Sequence, residues 1–231
     1  MMKQGKLIAI EGADKAGKHT QVMNILEYLR SKNIPSETLD FPQYNSYFGR
    51  FIKQYLNGEF GPTRNLPAEY TMLPYALDRQ QHQPQIKQWL QDGKWVILDR
   101  YTYSNAFSIA KTPRPEWNKR IEFLEDLEFN QLGIIKPDWN IYLYLDPKMS
   151  FDMRNQGLKA YQNGKPDIHE SDLQLLKDVS DVYIQLSCTR MNWALVDETT
   201  KQGGRLTIPQ VFDKIKTVLD VVIAQNEKNR R

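Results

Sequence analysis

The sequence contains one cysteine, Cys188, in 231 residues. An internal disulfide is therefore excluded, and the composition suits a reducing compartment such as the cytosol. No apolar run approaches the roughly 20 residues needed to cross a bilayer, so no membrane association is expected. The first residues, Met1 to Leu7, lead straight into a short apolar segment without an h-region, and no secretory signal is expected. Charge of either sign is not in excess. Lys and Arg number 31 against 28 Asp and Glu, a net charge of +3 that is too weak to argue for nucleic-acid binding. Repeats, low-complexity linkers and composition breaks are also missing, so residues 1–231 read as one domain.

What is present is an alternation of short apolar runs and amphipathic stretches. Leu7–Ile10, Thr38–Phe41, Trp95–Leu98, Trp139–Leu145 and Trp193–Val196 read as strands. Helices are expected over Thr20–Arg30, Phe48–Leu56, Leu73–Trp89 with a kink or split at Pro84, Ile121–Leu132, from Ser150 onward, Ser171–Ser187 and Ile208–Gln225. The polar, Gly-containing segment Leu158–Asp167 reads as a loop. The alternation implies an α/β fold with a parallel central sheet flanked by helices in three layers.

Between the first strand and the first helix lies Gly12-Ala13-Asp14-Lys15-Ala16-Gly17-Lys18. A Gly-rich turn in that context is the arrangement a phosphate-binding loop requires. Its glycines let backbone N–H groups converge on phosphate oxygens, and the following helix start adds a positive dipole end. Lys18 would reach the outer phosphates. The next position normally carries Ser or Thr as a magnesium ligand; here it is His19, a poor substitute for an oxygen donor, followed by Thr20. One helical step turns Thr20 about 100° away from that position. Asp99-Arg100 follows the third strand directly, where parallel sheets place their sites. Asp99 could hold magnesium and Arg100 could grip phosphate in a fork, or the two could form a structural ion pair. Tyr75 and Arg79 are one helical turn apart and share a face.

The run Ile10 to Gln21 resembles the thymidylate kinase family, whose phosphate loop typically reads Glu-Gly-x-Asp-x-Ala-Gly-Lys-Ser/Thr-Thr-Gln. Phe41-Pro42, Tyr75-Ala76-Leu77-Asp78-Arg79, Asp99-Arg100-Tyr101 with Ser104, and Lys136-Pro137-Asp138 agree in order and spacing. Tyr55 to Gly61 and Asp167 to Glu170 resemble a bacterial subgroup. The resemblance runs from about Lys6 to the final helix, and implies a P-loop NTPase fold with a small mobile lid over about 154–170.

The resemblance further implies transfer of a phosphoryl group from ATP to thymidine monophosphate, with Mg2+, in a cytoplasmic homodimer. Gly12, Asp14, Ala16, Gly17, Lys18, His19 and Thr20 would bind ATP. Lys15, Lys18, Asp99 and Arg100 would act in transfer, with Asp99 the metal ligand. Asp14 would orient the acceptor, by accepting from its sugar hydroxyl or by holding an arginine. Tyr75 would stack on the thymine ring and Arg79 bind its carbonyl oxygen, with Arg100, Ser104 and Asn105 nearby. Lid cations Arg154, Lys159 and Lys165 could supplement Lys15. Many members have arginine where this chain has Tyr44, and that duty would pass to Arg100, Arg50 or Lys53. Two other functions remain open: a kinase for another nucleotide or nucleoside, and a nucleotide-binding protein whose catalysis His19 has impaired.

Overall fold

A computed structural model describes residues 5–61, 66–153 and 172–228. Five strands, β1 (Leu7–Gly12), β2 (Ser36–Asp40), β3 (Trp95–Asp99), β4 (Trp139–Tyr144) and β5 (Trp193–Asp197), form one sheet in the order β2-β3-β1-β4-β5. All four pairings are parallel. All six residues of β1 are buried, as a strand paired on both sides and covered on both faces must be.

Side chains alternate across the sheet. Ile8 and Ile10 pack on one face with Val22, Ile25 and Leu29 of α1 (Lys18–Ser31) and with Val211, Ile215 and Leu219 of the final helix. Leu7 and Ala9 pack on the other with Val96, Leu98 and Ile86. The three-layer α/β architecture expected from the sequence is therefore present. From β1 the chain first builds β2 and β3 on one side, then crosses to build β4 and β5 on the other. This reversal opens a crevice at the carboxyl ends of the strands.

The remaining helices refine the expectations. Of the kink or split expected at Pro84, the split occurs: the stretch Leu73–Trp89 is two helices, α2 being Tyr47–Leu56, α3 Ala68–Gln81 and α4 Gln83–Gln91. Pro84 sits at the start of α4, where its missing N–H costs little, and so it begins a helix rather than bending one. The proline inside a helix is Pro74, in α3. A short helix, α5 (Ala106–Ala110), was not visible in the apolar pattern. The helix expected over Ile121–Leu132 is α6 (Trp117–Glu125) running into a π-helical turn, Asp126–Gln131. Then come α7 (Pro147–Asp152), α8 (Leu173–Thr189) and α9 (Ile208–Lys228). The expected lid, with Arg154, Lys159, Lys165 and Asp167 to Glu170, lies outside the described residues. Among the described residues no helix is long and apolar enough to cross a membrane.

Asp138 and Asp78, each inside a motif block, make structural contacts. Asp138 accepts from Lys6 Nζ at 2.7 Å and from the Leu7 N–H at 2.8 Å, tying the start of β4 to the start of β1. Asp78 accepts from the Gln43 N–H at 2.9 Å and Ser46 Oγ at 2.7 Å. It thereby holds α3 against the turn that follows the cis peptide Phe41-Pro42.

Candidate active site

Six residues of the phosphate loop and its helix (Asp14, Lys15, Gly17, Lys18, His19 and Thr20) share a cleft of about 740 Å³ with Asp40, Phe41, Pro42, Tyr44, Asp99 and Arg100. Two glycines permit the loop. A Cβ on Gly12, at φ 149°, would lie 2.7 Å from the Leu143 carbonyl oxygen, and Gly17 adopts φ 73° as it starts α1. Two non-glycine residues of the cleft also adopt left-handed backbone, Lys15 at φ 67° and Arg100 at φ 69°. Both are cations on the cleft, where strain of this kind concentrates.

The loop is held through its carbonyls. Arg100 Nη1 donates to the Gly12 oxygen at 3.0 Å and Lys18 Nζ to that of Ala13 at 2.7 Å. Ser150 Oγ, from α7, donates to the Asp14 oxygen at 2.9 Å, and Arg205 Nη2 to that of Lys15 at 2.8 Å. Four consecutive carbonyls are thus engaged by side chains. With its oxygens tied back, the loop keeps its N–H side for an anion. Buried Ala16 packs in the core beneath it.

Arg100 also donates from Nη2 to Asp14 Oδ1 at 2.8 Å. Of the two roles open for Asp14, holding an arginine is the one its geometry displays. The ion pair that the sequence allowed between Asp99 and Arg100 is instead made with Asp14, which leaves the Asp99 carboxylate lining the cleft. Of the three cations considered for acceptor phosphate, Arg100 is in the cleft wall; Arg50 and Lys53 are not. Thr20 and His19 both line the cleft, and both are exposed.

Tyr75, Arg79, Ser104 and Asn105 are not among the walls of this cleft. Two buried carboxylates organise three of them. Glu128, in the π-helical turn, accepts from Arg79 Nε at 2.9 Å, Arg79 Nη2 at 2.5 Å, Thr102 Oγ1 at 2.8 Å and Asn105 Nδ2 at 3.1 Å. Arg79 Nη1 donates to the Tyr101 carbonyl at 3.1 Å. Glu11, at the end of β1, accepts from Ser104 Oγ at 2.6 Å, the Tyr101 N–H at 3.0 Å and the Tyr183 hydroxyl at 3.1 Å. Burial pushes the Glu11 carboxyl up, while these bonds and the charge of Arg100 pull it down. Tyr75, half-buried, borders a separate apolar cavity of about 140 Å³ with Phe51, Ile52, Tyr55 and Tyr70.

Sequence reasoning passed over Glu11, Glu128, Ser150, Glu198 and Arg205. A signal existed for two of them. Glu11 lies within β1 at its carboxyl end and Glu198 directly follows β5, and the strand-end rule that drew attention to Asp99 applies equally to both. Glu128 carries no local signal, because its partners lie up to 49 residues away.

Comparison with known proteins gives the family. Residues 10–203 match the family model described as thymidylate kinase. The thymidylate kinase of Plasmodium falciparum is 28% identical over 220 residues, covering 91% of this chain and 96% of that protein. That of Mycobacterium tuberculosis is 33% identical over 185 residues, covering 78% and 85%. The human enzyme is 29% identical over 201 residues, covering 84% and 83%. The solved thymidylate kinase of Candida albicans superposes with a TM-score of 0.71 at 24% identity, over 96% of this chain and 93% of that one. With its phosphate loop, strand-end Asp99-Arg100 pair and sheet order in place, the chain belongs to the thymidylate kinase family.

Proposed function

We propose that the chain transfers the γ-phosphoryl group of ATP to thymidine monophosphate, giving the diphosphate on the route to the triphosphate. The observation that carries this reading is the convergence of the phosphate loop, Asp99 and the Asp14-bound Arg100 on one cleft. Phosphoryl transfer is chiefly positioning and neutralisation of charge. The loop N–H groups and Lys18 hold the donor phosphates, Lys18 exchanging its Ala13 carbonyl for a phosphate oxygen. Lys15 neutralises the group in flight. Arg100, oriented by Asp14 and the Gly12 carbonyl, meets the acceptor phosphate. Glu128 holds Arg79 and Asn105 toward the acceptor base, and the half-buried ring of Tyr75 offers it a stacking face. Ser104 is set in place by Glu11.

Magnesium belongs to the same reading, and the donors fit it. Among the described residues no group of three or more His, Cys, Asp or Glu forms a metal cage. Magnesium bound with nucleotide needs only one or two carboxylates beside phosphates and water, and Asp99 and Asp40 both line the cleft. When bound, it would neutralise and orient the phosphates. One assay tests the substrates and the metal together. The kcat/KM across nucleoside monophosphates should favour thymidine monophosphate over the purines; a preferred purine would sink the assignment of Tyr75 and Arg79. The same assay, titrated with magnesium and manganese, should show half-maximal rate at lower magnesium for His19→Ser than for the native chain, with acceptor KM nearly unchanged. Activity only in the serine variant would mean that His19 has impaired catalysis, and coincident metal curves that His19 is not at the metal.

A cytoplasmic homodimer is the finer part of the proposal. Tyr70 and Leu73 of α3 and Phe123 of α6 expose 75%, 42% and 40% of their surface, apolar area that a second copy could cover. Sedimentation should give twice the monomer mass, and Leu73→Glu should halve it; a native monomer would remove the dimer from the reading.

A further inference from the structure

Between β5 and α9 the chain makes a tight hairpin whose two sides carry opposite charges. The Leu206 N–H donates to the Glu198 carbonyl at 2.7 Å, Thr200 and Gly204 pair at 2.8 Å, and Thr199 bridges Arg205 in antiparallel fashion. This register sets Glu198 beside Arg205. Arg205 Nε and Nη2 reach the same carboxylate oxygen, Oε2, at 3.0 and 2.8 Å. The other oxygen, Oε1, is buried without a hydrogen-bond partner among the described residues, and Glu198 as a whole is 1% exposed. Arg205 in turn donates to the Lys15 carbonyl at 2.8 Å, and its Nη2 lies 3.6 Å from where a Cβ on Gly17 would stand.

A buried carboxylate with one oxygen unsatisfied is costly. An apolar residue there would avoid that cost but leave Arg205 without its charged partner. The carboxylate's one evident service is to hold the guanidinium against the phosphate loop, at the residue whose backbone is left-handed. The charged groups that act on it are Arg205 and Lys18, which favour its ionised form, and Asp197, which opposes it. Burial outweighs them and pushes the carboxyl up to about 7.

We propose that Glu198 is a positioning residue for ATP: acting through Arg205, it fixes the Lys15 carbonyl and so holds the phosphate loop in its anion-binding shape. It touches neither substrate. The proposal rests on the reading of this loop as the ATP site, and it adds a dependence on pH. The raised carboxyl binds its proton as pH falls through neutrality. Arg205 then loses its charged partner, and the clamp weakens below pH 7 and is complete above it.

The test is calorimetric titration of ATP alone, without acceptor, from pH 6 to pH 8, on the native chain and on Glu198→Gln. The ratio of the two dissociation constants cancels the titration of ATP itself. It should be about tenfold at pH 8, the scale of losing a hydrogen bond to a charged group, and approach one at pH 6. Arg205→Met should reproduce the loss at pH 8, and adding Glu198→Gln to it should weaken binding no further. A ratio independent of pH, whether one or ten, overturns the proposal, as does an Arg205→Met chain that binds ATP like the native one. If the native chain binds no ATP at all, the kinase reading fails, and this proposal falls with it.

Discussion

Lys15→Ala is expected to lower kcat by about a hundredfold or more while leaving ATP affinity within a few-fold, the pattern for a cation whose partner charge develops in the transition state. The variant is a clean probe because of where Lys15 sits. Its carbonyl is tied by Arg205, so the loop keeps its anchor when the side chain is shortened. Alanine and lysine also bear the left-handed backbone, φ 67°, at similar cost, so little of the effect comes from strain. The side chain lines the cleft, and what the substitution removes is the ammonium. Single-turnover and equilibrium binding measurements separate the two quantities. A kcat within a few-fold of native would assign the neutralising charge to a different cation.

Glu128→Ala is expected to cost about 3–5 kcal/mol of stability, because it strands a charge. Arg79 is 1% exposed, and Glu128 takes both its Nε and one Nη. Thr102 and Asn105 lose an acceptor at the same time. In a chain of this size that corresponds to a fall in Tm of roughly 6–20 °C. Denaturant titration measures it, and a loss under about 1 kcal/mol would mean that water reaches the guanidinium. Removing the pair together separates structure from recognition. Arg79→Met with Glu128→Leu should restore most of the stability, since a buried ion pair is often replaceable by apolar side chains. It should still lose discrimination among acceptor bases. An unchanged acceptor preference in the double variant would reduce Arg79 to a structural role.

These two residues mark how far the sequence could be read. Lys15 was legible because its neighbourhood is local. Gly12 to Lys18 sits between an apolar run and an amphipathic one, and six consecutive bonds of chain determine the loop. Asp99 and Arg100 were legible for the same reason, as a charged pair ending a buried strand. The sheet followed from five apolar runs, although the edges of β2 and β4 moved by a residue or two. Glu128 was not legible. Its role depends on a π-helical turn that adds a residue to the helix repeat, and on Arg79 arriving from α3. In the α3–α4 region the split at Pro84 was legible and Pro74 was not, because position within a helix decides what a proline does. Pro84 lies in the first turn of α4 and is tolerated there, whereas Pro74 lies seven residues into a helix that begins earlier than its apolar spacing suggested. Tyr75 shows a different limit. Its spacing from Arg79 places both on one helix, yet the ring and the guanidinium have different surroundings, an apolar cavity and a buried carboxylate.

The left-handed backbone at Lys15 has a consequence for how such an enzyme evolves. Glycine is the residue that conformation prefers, and the substitution would relieve about 1 kcal/mol of strain. Laboratory selection for heat resistance alone should therefore drift glycine into position 15, and the survivors would be sturdier proteins that turn over about a hundredfold more slowly. Heat resistance and turnover are opposed at this one codon. A thermostable variant worth keeping must find its gains elsewhere in the chain, under a screen that scores product as well as survival.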